Sequence, residues 1–209
     1  MTVFWDVDTQ KDFMYKNGKL YVPNAEKIIP NLKALTNYAR KNDTKILGSV
    51  DRHFANDKEL ETFPKHCMNK TEGQKKIPET LLKHHVFVSS KIGEHGKYDG
   101  LSNNELQIYE RNFQQILFEK QTINVFDNRD VKKFLDKIRV GTAIVYGVAT
   151  DYCVKDAVLG LLNLGIKVYL VCDAIKGIED KAIDSALWAM YHTGAKAITT
   201  KQVLERKYE

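Results

Sequence analysis

Cys153 lies in the run VYGVATDYCVKDAVLGLLNLG, where an apolar strand-like pattern gives way to a helical one. This placement puts the thiol at or next to a helix N-terminus, where unpaired backbone N–H groups and the positive end of the helix dipole favour a thiolate. A thiolate in a protected crevice is suited to nucleophilic attack on an acyl carbon. A buried structural cysteine is the competing interpretation, because cysteine is common in protein cores.

A candidate acid, Asp8, follows the first predicted strand in VFWDVDTQKDF. At the carboxyl end of a buried strand, its side chain would face the same crevice as Cys153. A buried carboxylate is costly unless it has a partner or a task. Asp8 could instead cap the following turn, and Asp6 or Asp12 could supply the acid.

A second set of candidates lies in DRHFANDKELETFPKHC. Asp51 and His53 are two residues apart just after a strand, so in an extended chain their side chains point the same way. Glu59 and His66 follow in the same loop. Two imidazoles and two carboxylates suit a divalent transition metal such as Zn, Mn or Fe, with positions left open for water or substrate. The alternative is a set of polar surface residues.

Short apolar runs alternate with helix-period segments along the chain, which is typical of a parallel sheet covered on both faces. One helix is predicted from Asn24 as N-cap, a second follows Cys153 as far as Gly165, and a third ends at Gly194. We predict a single domain, 1–209, with a three-layer α/β/α fold and a six-stranded, mainly parallel, doubly wound sheet. The six predicted strands are residues 3–7, 45–50, 115–119, 142–148, 167–172 and 195–199.

Composition excludes several classes of function. The 32 basic residues exceed the 27 acidic ones, but they are interleaved with them, so we expect no nucleic-acid partner. No apolar run reaches the roughly 20 residues of a membrane span, so we expect no membrane partner. Nothing matches a P-loop or a dinucleotide fingerprint, and we expect no nucleotide cofactor. Three cysteines at unrelated spacings form no disulfide framework, which predicts a cytoplasmic protein.

The motifs VDTQKDF, DRH with FPKHC, and YGVATDYCVKDAVLGLL with VCDAI occur in this order along nearly the whole chain. Together they resemble the isochorismatase-like cysteine hydrolases, and among these the chain is most similar to the nicotinamidases. The resemblance implies an Asp–Lys–Cys triad on a six-stranded parallel sheet, with a metal beside it in nicotinamidases. It implies Asp8 as the triad aspartate and Cys153 as the nucleophile.

The same resemblance implies further site residues. The oxyanion donors would be the backbone N–H groups of Ala149 and Cys153, with a cis peptide bond between Val148 and Ala149. Phe13 and Phe63 are candidates for packing on a substrate ring, although either could equally be core. The implied metal ligands are Asp51, His53, Glu59 and His66.

The triad lysine has two candidates. Lys120 ends the run QILFEK and is followed by one predicted helix and then the strand that precedes Cys153. Lys91, in VFVSSK, also ends an apolar run, but it would leave an extra helix and strand before the cysteine. We favour Lys120, whose ammonium would stabilise both the Asp8 carboxylate and a Cys153 thiolate. Residues 84–114 then form an insertion, either a lid over the site or a contact in a homo-oligomer.

The activity implied by the resemblance is hydrolysis of a small-molecule amide through a thioester on Cys153. Nicotinamide, converted to nicotinate and ammonia, is the expected substrate. Another carboxamide, a carbamoyl compound or a ureido compound is the alternative within the family. A non-catalytic binding protein that reuses the fold is a further alternative, although the presence of Asp8, Cys153 and a lysine argues against it.

Overall fold

A seven-stranded parallel sheet organises the residues that the computed structural model describes, which are 1–90 and 100–208. The strands are short apolar runs, as expected for a sheet that is buried on both faces. Their bounds are β1 Thr2–Val7, β2 Ile46–Asp51, β3 His85–Val88, β4 Gln115–Lys120, β5 Thr142–Val148, β6 Lys167–Lys176 and β7 Lys196–Ile198. The strand order is β3-β4-β2-β1-β5-β6-β7, and each pairing in it is parallel.

Helices cover both faces of the sheet. Side chains of β1 alternate between the faces: Val3 and Trp5 join one apolar cluster with helices α3 to α6, while Phe4 joins another with α1, α2 and α7. The chain is therefore doubly wound, as the sequence predicted. The helices are α1 Lys11–Met14, α2 Ile29–Lys41, α3 Asn103–Asn112, α4 Arg129–Ile138, α5 Lys155–Asn163, α6 Asp180–Thr193 and α7 Thr200–Leu204.

The order of the strands reverses between β1 and β5. On one side of β1 lie β2, then β4, then β3 at the edge, and β4 fills the place between β2 and β3 after both have formed along the chain. On the other side lie β5, β6 and β7. In open parallel sheets of this kind, ligands bind outside the carboxyl ends of the strands beside such a reversal. Asp8, Asp51, Lys120 and Ala149 all lie at or just after the carboxyl ends of β1, β2, β4 and β5.

Most sequence-based expectations about the fold are confirmed, with two corrections. The sheet has seven strands rather than the predicted six, because the prediction omitted β3. This edge strand has only four residues and its Phe87 is exposed, so it lacks the apolar pattern of a buried strand. Asn24 does not cap a helix with its side chain: it has a left-handed φ of 62° before a 3₁₀ turn, and α2 begins later, at Ile29. The other two predicted helix ends, Gly165 and Gly194, have positive φ.

The segment 84–114, predicted to be an insertion, contributes β3 and α3 within its described part. Leu106 of α3 is buried in the core cluster on the α4 side of the sheet. The side-chain amide of Asn128 donates to Val88 O at 3.1 Å and to Glu119 O at 2.9 Å, which joins the ends of β3 and β4. No helix among the described residues is both long and apolar enough to span a membrane.

Candidate active site

Lys120, Asp8 and Cys153 meet at the carboxyl edge of the sheet. The Nζ atom of Lys120 is 3.0 Å from Asp8 Oδ2 and 3.4 Å from Cys153 Sγ. The side chains of Lys120 and Asp8 are almost completely buried. Both can remain charged there because each compensates the other.

The backbone explains this convergence. Lys120 is the last residue of β4, and Asp8 follows β1 with a left-handed φ of 47°. Cys153 belongs to a wide π-helical turn, Thr150–Val154, that joins β5 to α5. The peptide bond between Val148 and Ala149, just before this turn, is cis, as the resemblance implied.

Burial and the helix terminus act in opposite directions on the Cys153 thiol. The helix terminus was expected to favour a thiolate, whereas burial raises the pKa of the thiol well above its usual range. The Lys120 ammonium opposes this shift, whereas the carboxylates of Asp8 and Asp51 add to it. Burial also raises the pKa of Asp8, against the effect of Lys120. A protonated thiol therefore faces a carboxylate that takes up a proton more readily than an exposed one.

Asp51, His53, Glu59 and His66, here called the ligand cluster, converge beside this group. One ligand atom from each lies within 4.8 Å of the others. His53 Nε2 is 3.7 Å from Asp51 Oδ2 and 3.9 Å from Glu59 Oε1. His66 Nε2 is 3.5 Å from Asp51 Oδ2 and 3.7 Å from Glu59 Oε1. The two imidazoles and two carboxylates thus surround one point without bonding to each other.

The donor atoms of the ligand cluster fit a metal ion. Asp51 Oδ2, His53 Nε2 and His66 Nε2 are buried and have no hydrogen-bond partner within the described part of the chain. Such orphaned buried atoms are costly, and a cation would satisfy them together. The other ring nitrogens are already engaged: His53 Nδ1 lies 3.3 Å from Asp57 Oδ2, and His66 Nδ1 lies 2.7 Å from Pro64 O. These partners orient both rings with Nε2 toward the centre.

Lys120 connects the two groups of residues. Its ammonium also forms a close ion pair with Asp51 Oδ1, while Asp51 Oδ2 faces the histidines. Burial acts to raise the pKa of Asp51, but Lys120 and the two imidazoles hold it well below its usual range. Asp51 therefore stays a carboxylate, which is the form that can bind a cation.

A cavity opens onto both groups. Its wall includes Cys153 and Ala149 together with Asp51, Glu59 and His66. The remaining lining is apolar or aromatic: Phe13, Leu20, Val22, Phe63, Ile123, Val148, Tyr152 and Ile178. A pocket of this kind, mostly apolar with a few converging polar groups, suits a small flat ligand.

The two aromatic candidates lie around His66. The ring of Phe13 is 5.3 Å from that of His66, and the ring of Phe63 is 6.4 Å from it. Phe63 also meets Tyr152 edge-on at 5.5 Å. Phe13 is buried in a core cluster and also lines the cavity.

The alternative acids have other partners. Asp6 accepts from the buried ammonium of Lys76 at 2.9 Å and from the Thr9 hydroxyl at 2.9 Å. Asp12 accepts from the backbone N–H of Cys67 at 2.7 Å. Asp8 is thus the aspartate of this segment that contacts Lys120. The alternative lysine, Lys91, lies outside the described residues.

Asp151 is a site residue that the sequence reasoning missed. Its carboxylate accepts from the backbone N–H groups of Ile178 at 3.0 Å and Glu179 at 3.1 Å. It thereby fixes the turn before α6, where Ile178 lines the cavity and where a Cβ at Gly177 would lie 2.7 Å from Asp151 Oδ1. The only available signal was its position in GVATDYCV, two residues before the thiol.

The chain is similar to known proteins over most of its length. Nicotinamidase of Escherichia coli (strain K12) is 29% identical over 204 residues, which cover 86% of this chain and 85% of that protein. Nicotinamidase of Saccharomyces cerevisiae is 23% identical over 208 residues, covering 83% and 87%. The crystal structure of pyrazinamidase of Pyrococcus horikoshii in complex with zinc superposes with a TM-score of 0.73 at 25% identity, covering 95% of this chain and 98% of that one.

A family model described as the Isochorismatase domain matches residues 93–202, which is more than half of the chain. The matched range contains Lys120 and Cys153, whereas Asp8 and the ligand cluster precede it. The fold, the family match and the nicotinamidase relatives all indicate a hydrolase. The chain belongs to the Isochorismatase domain family.

Proposed function

We propose that the protein is a metal-dependent cysteine amidohydrolase that converts nicotinamide and water to nicotinate and ammonia. One observation carries the proposal: Cys153, contacted by Lys120, lines the same cavity as three residues of the ligand cluster. Nicotinamide presents a ring nitrogen at one position and a carboxamide at another. Such a cavity can engage both, and the nicotinamidase relatives support this choice of substrate.

In the proposed acylation step, Asp8 takes the proton of the Cys153 thiol while Sγ bonds to the amide carbon. The contacts of Lys120 with both groups support this assignment, because its ammonium would stabilise the thiolate as the proton leaves. The raised pKa of Asp8 supports its role as the proton acceptor. The backbone N–H groups of Ala149 and Cys153 would hold the oxyanion that forms on the substrate.

The remaining steps return the protein to its starting state. Asp8 delivers its proton to the amide nitrogen, the C–N bond breaks, and ammonia leaves. Water then adds to the thioester carbon and gives a proton to Asp8. The C–S bond breaks, the sulfur of Cys153 recovers the proton from Asp8, and nicotinic acid leaves and ionises to nicotinate.

Asp51, His53, Glu59 and His66 would hold the metal. A divalent cation bound there would supply a Lewis-acid anchor for the ring nitrogen of the substrate. Phe13 and Phe63, whose rings both lie near His66, would pack on the substrate ring and exclude water from it.

We place this reaction in the cytoplasm, as part of the salvage of pyridine nucleotides. The three cysteines are unpaired, which suits a reducing compartment. Whether copies of the chain associate, and whether residues 84–114 take part, stay predictions from the sequence.

The direct test is release of ammonia from nicotinamide by purified protein of known metal content, compared with a Cys153→Ala variant. Cys172→Ala is the matched control, because Cys172 is an exposed cysteine on β6 outside the cavity lining. We expect wild type and Cys172→Ala to be equally active and Cys153→Ala to be inactive. Activity that survives in Cys153→Ala would refute the mechanism.

The same assay tests the substrate separately. Pyrazinamide, a carbamoyl compound and a ureido compound are offered beside nicotinamide. Wild type that hydrolyses one of these in a Cys153-dependent way, but leaves nicotinamide intact, would keep the mechanism and overturn the substrate.

A further inference from the structure

Gln10 clamps the backbone of a ligand-cluster residue. Its side-chain oxygen accepts from Asp51 N at 2.6 Å, and its side-chain nitrogen donates to Asp51 O at 2.8 Å. The same nitrogen donates to Gln74 O at 2.7 Å. Gln10 is fully buried, so water cannot replace these hydrogen bonds if they are lost. Both backbone groups of Asp51 are thereby fixed by one side chain.

Asp12, two residues later, clamps the other end of the ligand cluster. Its Oδ2 accepts from the N–H of Cys67, the residue after His66, at 2.7 Å. Its Oδ1 accepts from Lys19 N at 3.0 Å. A Cβ at Gly73 would lie only 2.0 Å from Asp12 Oδ2, so the carboxylate is closely enclosed.

The backbone of Cys67 is in turn hydrogen-bonded to the backbone of His53, the other histidine of the ligand cluster. His53 N donates to Cys67 O at 3.1 Å, and Asn69 N donates to His53 O at 2.8 Å. Asp12 therefore sets the position of the strand-like pair that carries both His53 and His66. Gln10 and Asp12 thus reach three of the four cluster residues through backbone contacts.

We infer that Gln10 and Asp12 are positioning residues for metal binding: the turn that follows β1 supplies Asp8 and also fixes the backbone of the ligand cluster. The inference rests on the metal site of the proposed function. Ligand atoms must lie within a few tenths of an ångström of their required positions, and a clamped backbone restricts them. Loss of an outer partner of a metal ligand typically lowers metal affinity about 10- to 100-fold.

The test compares two buried glutamines that make the same kind of contact. Gln115 accepts from Leu82 N at 2.8 Å and donates to Thr80 O at 2.8 Å, and it begins β4, whereas Lys120 ends that strand. At about 3.3 Å per residue, Gln115 lies roughly 16 Å from Lys120 along the strand. Gln10→Met and Gln115→Met both remove hydrogen bonds without removing volume. Affinity for Co²⁺ is measured by its absorption spectrum and affinity for Zn²⁺ by competition with a chromophoric chelator.

We expect Gln10→Met to lower metal affinity about 10- to 100-fold and to alter the Co²⁺ spectrum, while Gln115→Met leaves both unchanged. The thermal stability of the metal-free proteins should fall to a similar degree in the two variants. Equal metal affinity in wild type and Gln10→Met would overturn the inference and leave the proposed function intact. A wild type that binds neither metal would overturn the metal site itself.

A second pair keeps the inference testable if Gln10→Met does not fold. Asp12→Ala removes both backbone contacts, whereas Asp12→Asn keeps one oxygen that can accept from Cys67 N. We expect Asp12→Ala to lower Co²⁺ affinity about 10-fold or more and Asp12→Asn to restore part of it. Equal affinities in wild type, Asp12→Ala and Asp12→Asn would count against the inference.

Discussion

The ammonium of Lys120 lies 3.4 Å from the sulfur of Cys153. The same ammonium pairs with Asp8 and with Asp51. Its three donors are thereby shared among a thiol, the Asp8 carboxylate and a residue of the ligand cluster. A substitution of Lys120 should therefore alter the environment of Cys153, Asp8 and Asp51 together.

Replacing Lys120 by methionine should remove activity and destabilise the protein. The buried carboxylates of Asp8 and Asp51 would lose their common cation, which costs about 3–5 kcal/mol when one partner of a buried pair is removed. We expect the rate of ammonia release to fall at least about 10³-fold. Urea unfolding and the ammonia assay measure the two effects.

Lys76→Met is the matched control for this prediction. Lys76 is also buried and also pairs with an aspartate of the first segment, Asp6, at 2.9 Å, but it does not line the cavity. We expect comparable destabilisation with much smaller loss of activity in the folded fraction. Equal loss of activity per folded molecule in both variants would argue against a specific role for Lys120.

The thiol of Cys153 should be slow to alkylate at neutral pH in the metal-free protein. Because burial raises its pKa, the thiol is protonated below that raised value, and only the thiolate reacts. The rate of labelling by iodoacetamide, followed by mass spectrometry of the Cys153 peptide, should keep rising above about pH 9. Lys120→Met should slow it further, since the ammonium lowers this pKa. A rate that levels off below about pH 8 would contradict the prediction.

Metal should stabilise the folded protein through the ligand cluster. At about 100 times its Kd, a ligand that binds only the folded state adds about 2.7 kcal/mol, or about 5–10 °C in Tm for a chain of this length. Thermal melts of chelator-treated protein with and without Zn²⁺ measure this gain. We expect His66→Ala to abolish it and His84→Ala, a change at an exposed histidine, to leave it intact. An unchanged gain in His66→Ala would place the metal elsewhere.

Asp151→Ala should affect substrate binding more than the chemical step. The turn that carries Ile178 would lose the carboxylate that holds two of its backbone N–H groups, at a cost of about 1.5–3 kcal/mol. We expect KM for nicotinamide to rise several-fold with a smaller fall in kcat.

Asp173→Ala is the matched control, because Asp173 also accepts from a backbone N–H group at the start of a helix. Asp173 accepts from the N–H of Thr200 at 2.7 Å and from its hydroxyl at 2.8 Å, at the start of α7. We expect it to lower stability without changing KM. A rise in KM of the same size in both variants would remove the specific role of Asp151.

Local pattern was sufficient to predict most of the fold. The segments that become β1, β2, β4 and β5 are mainly apolar and are buried along nearly their whole length, so composition identified them. The edge strand β3 was missed because it is short and partly exposed. Its existence depends on pairing with β4, which no local pattern reveals.

The candidate site likewise has a part that local spacing predicts and a part that depends on the fold. Asp51 and His53 could be grouped from spacing alone, because both follow one strand. The meeting of Lys120 with Asp51, and of Asp12 with Cys67, joins segments far apart in the chain and required the fold. The helix-terminus argument for a Cys153 thiolate left out desolvation, which depends on the fold and raises the pKa of the thiol.

The double pairing of Lys120 has a consequence for engineering the enzyme. Asp51 contributes one oxygen to the lysine and directs the other toward His53 and His66. A designer who replaced Asp51 to change metal preference would also alter the charge balance around the nucleophile. The two halves of the site are therefore coupled through Asp51, whereas substitutions at Glu59 or the histidines would leave the ion pair between Asp51 and Lys120 in place.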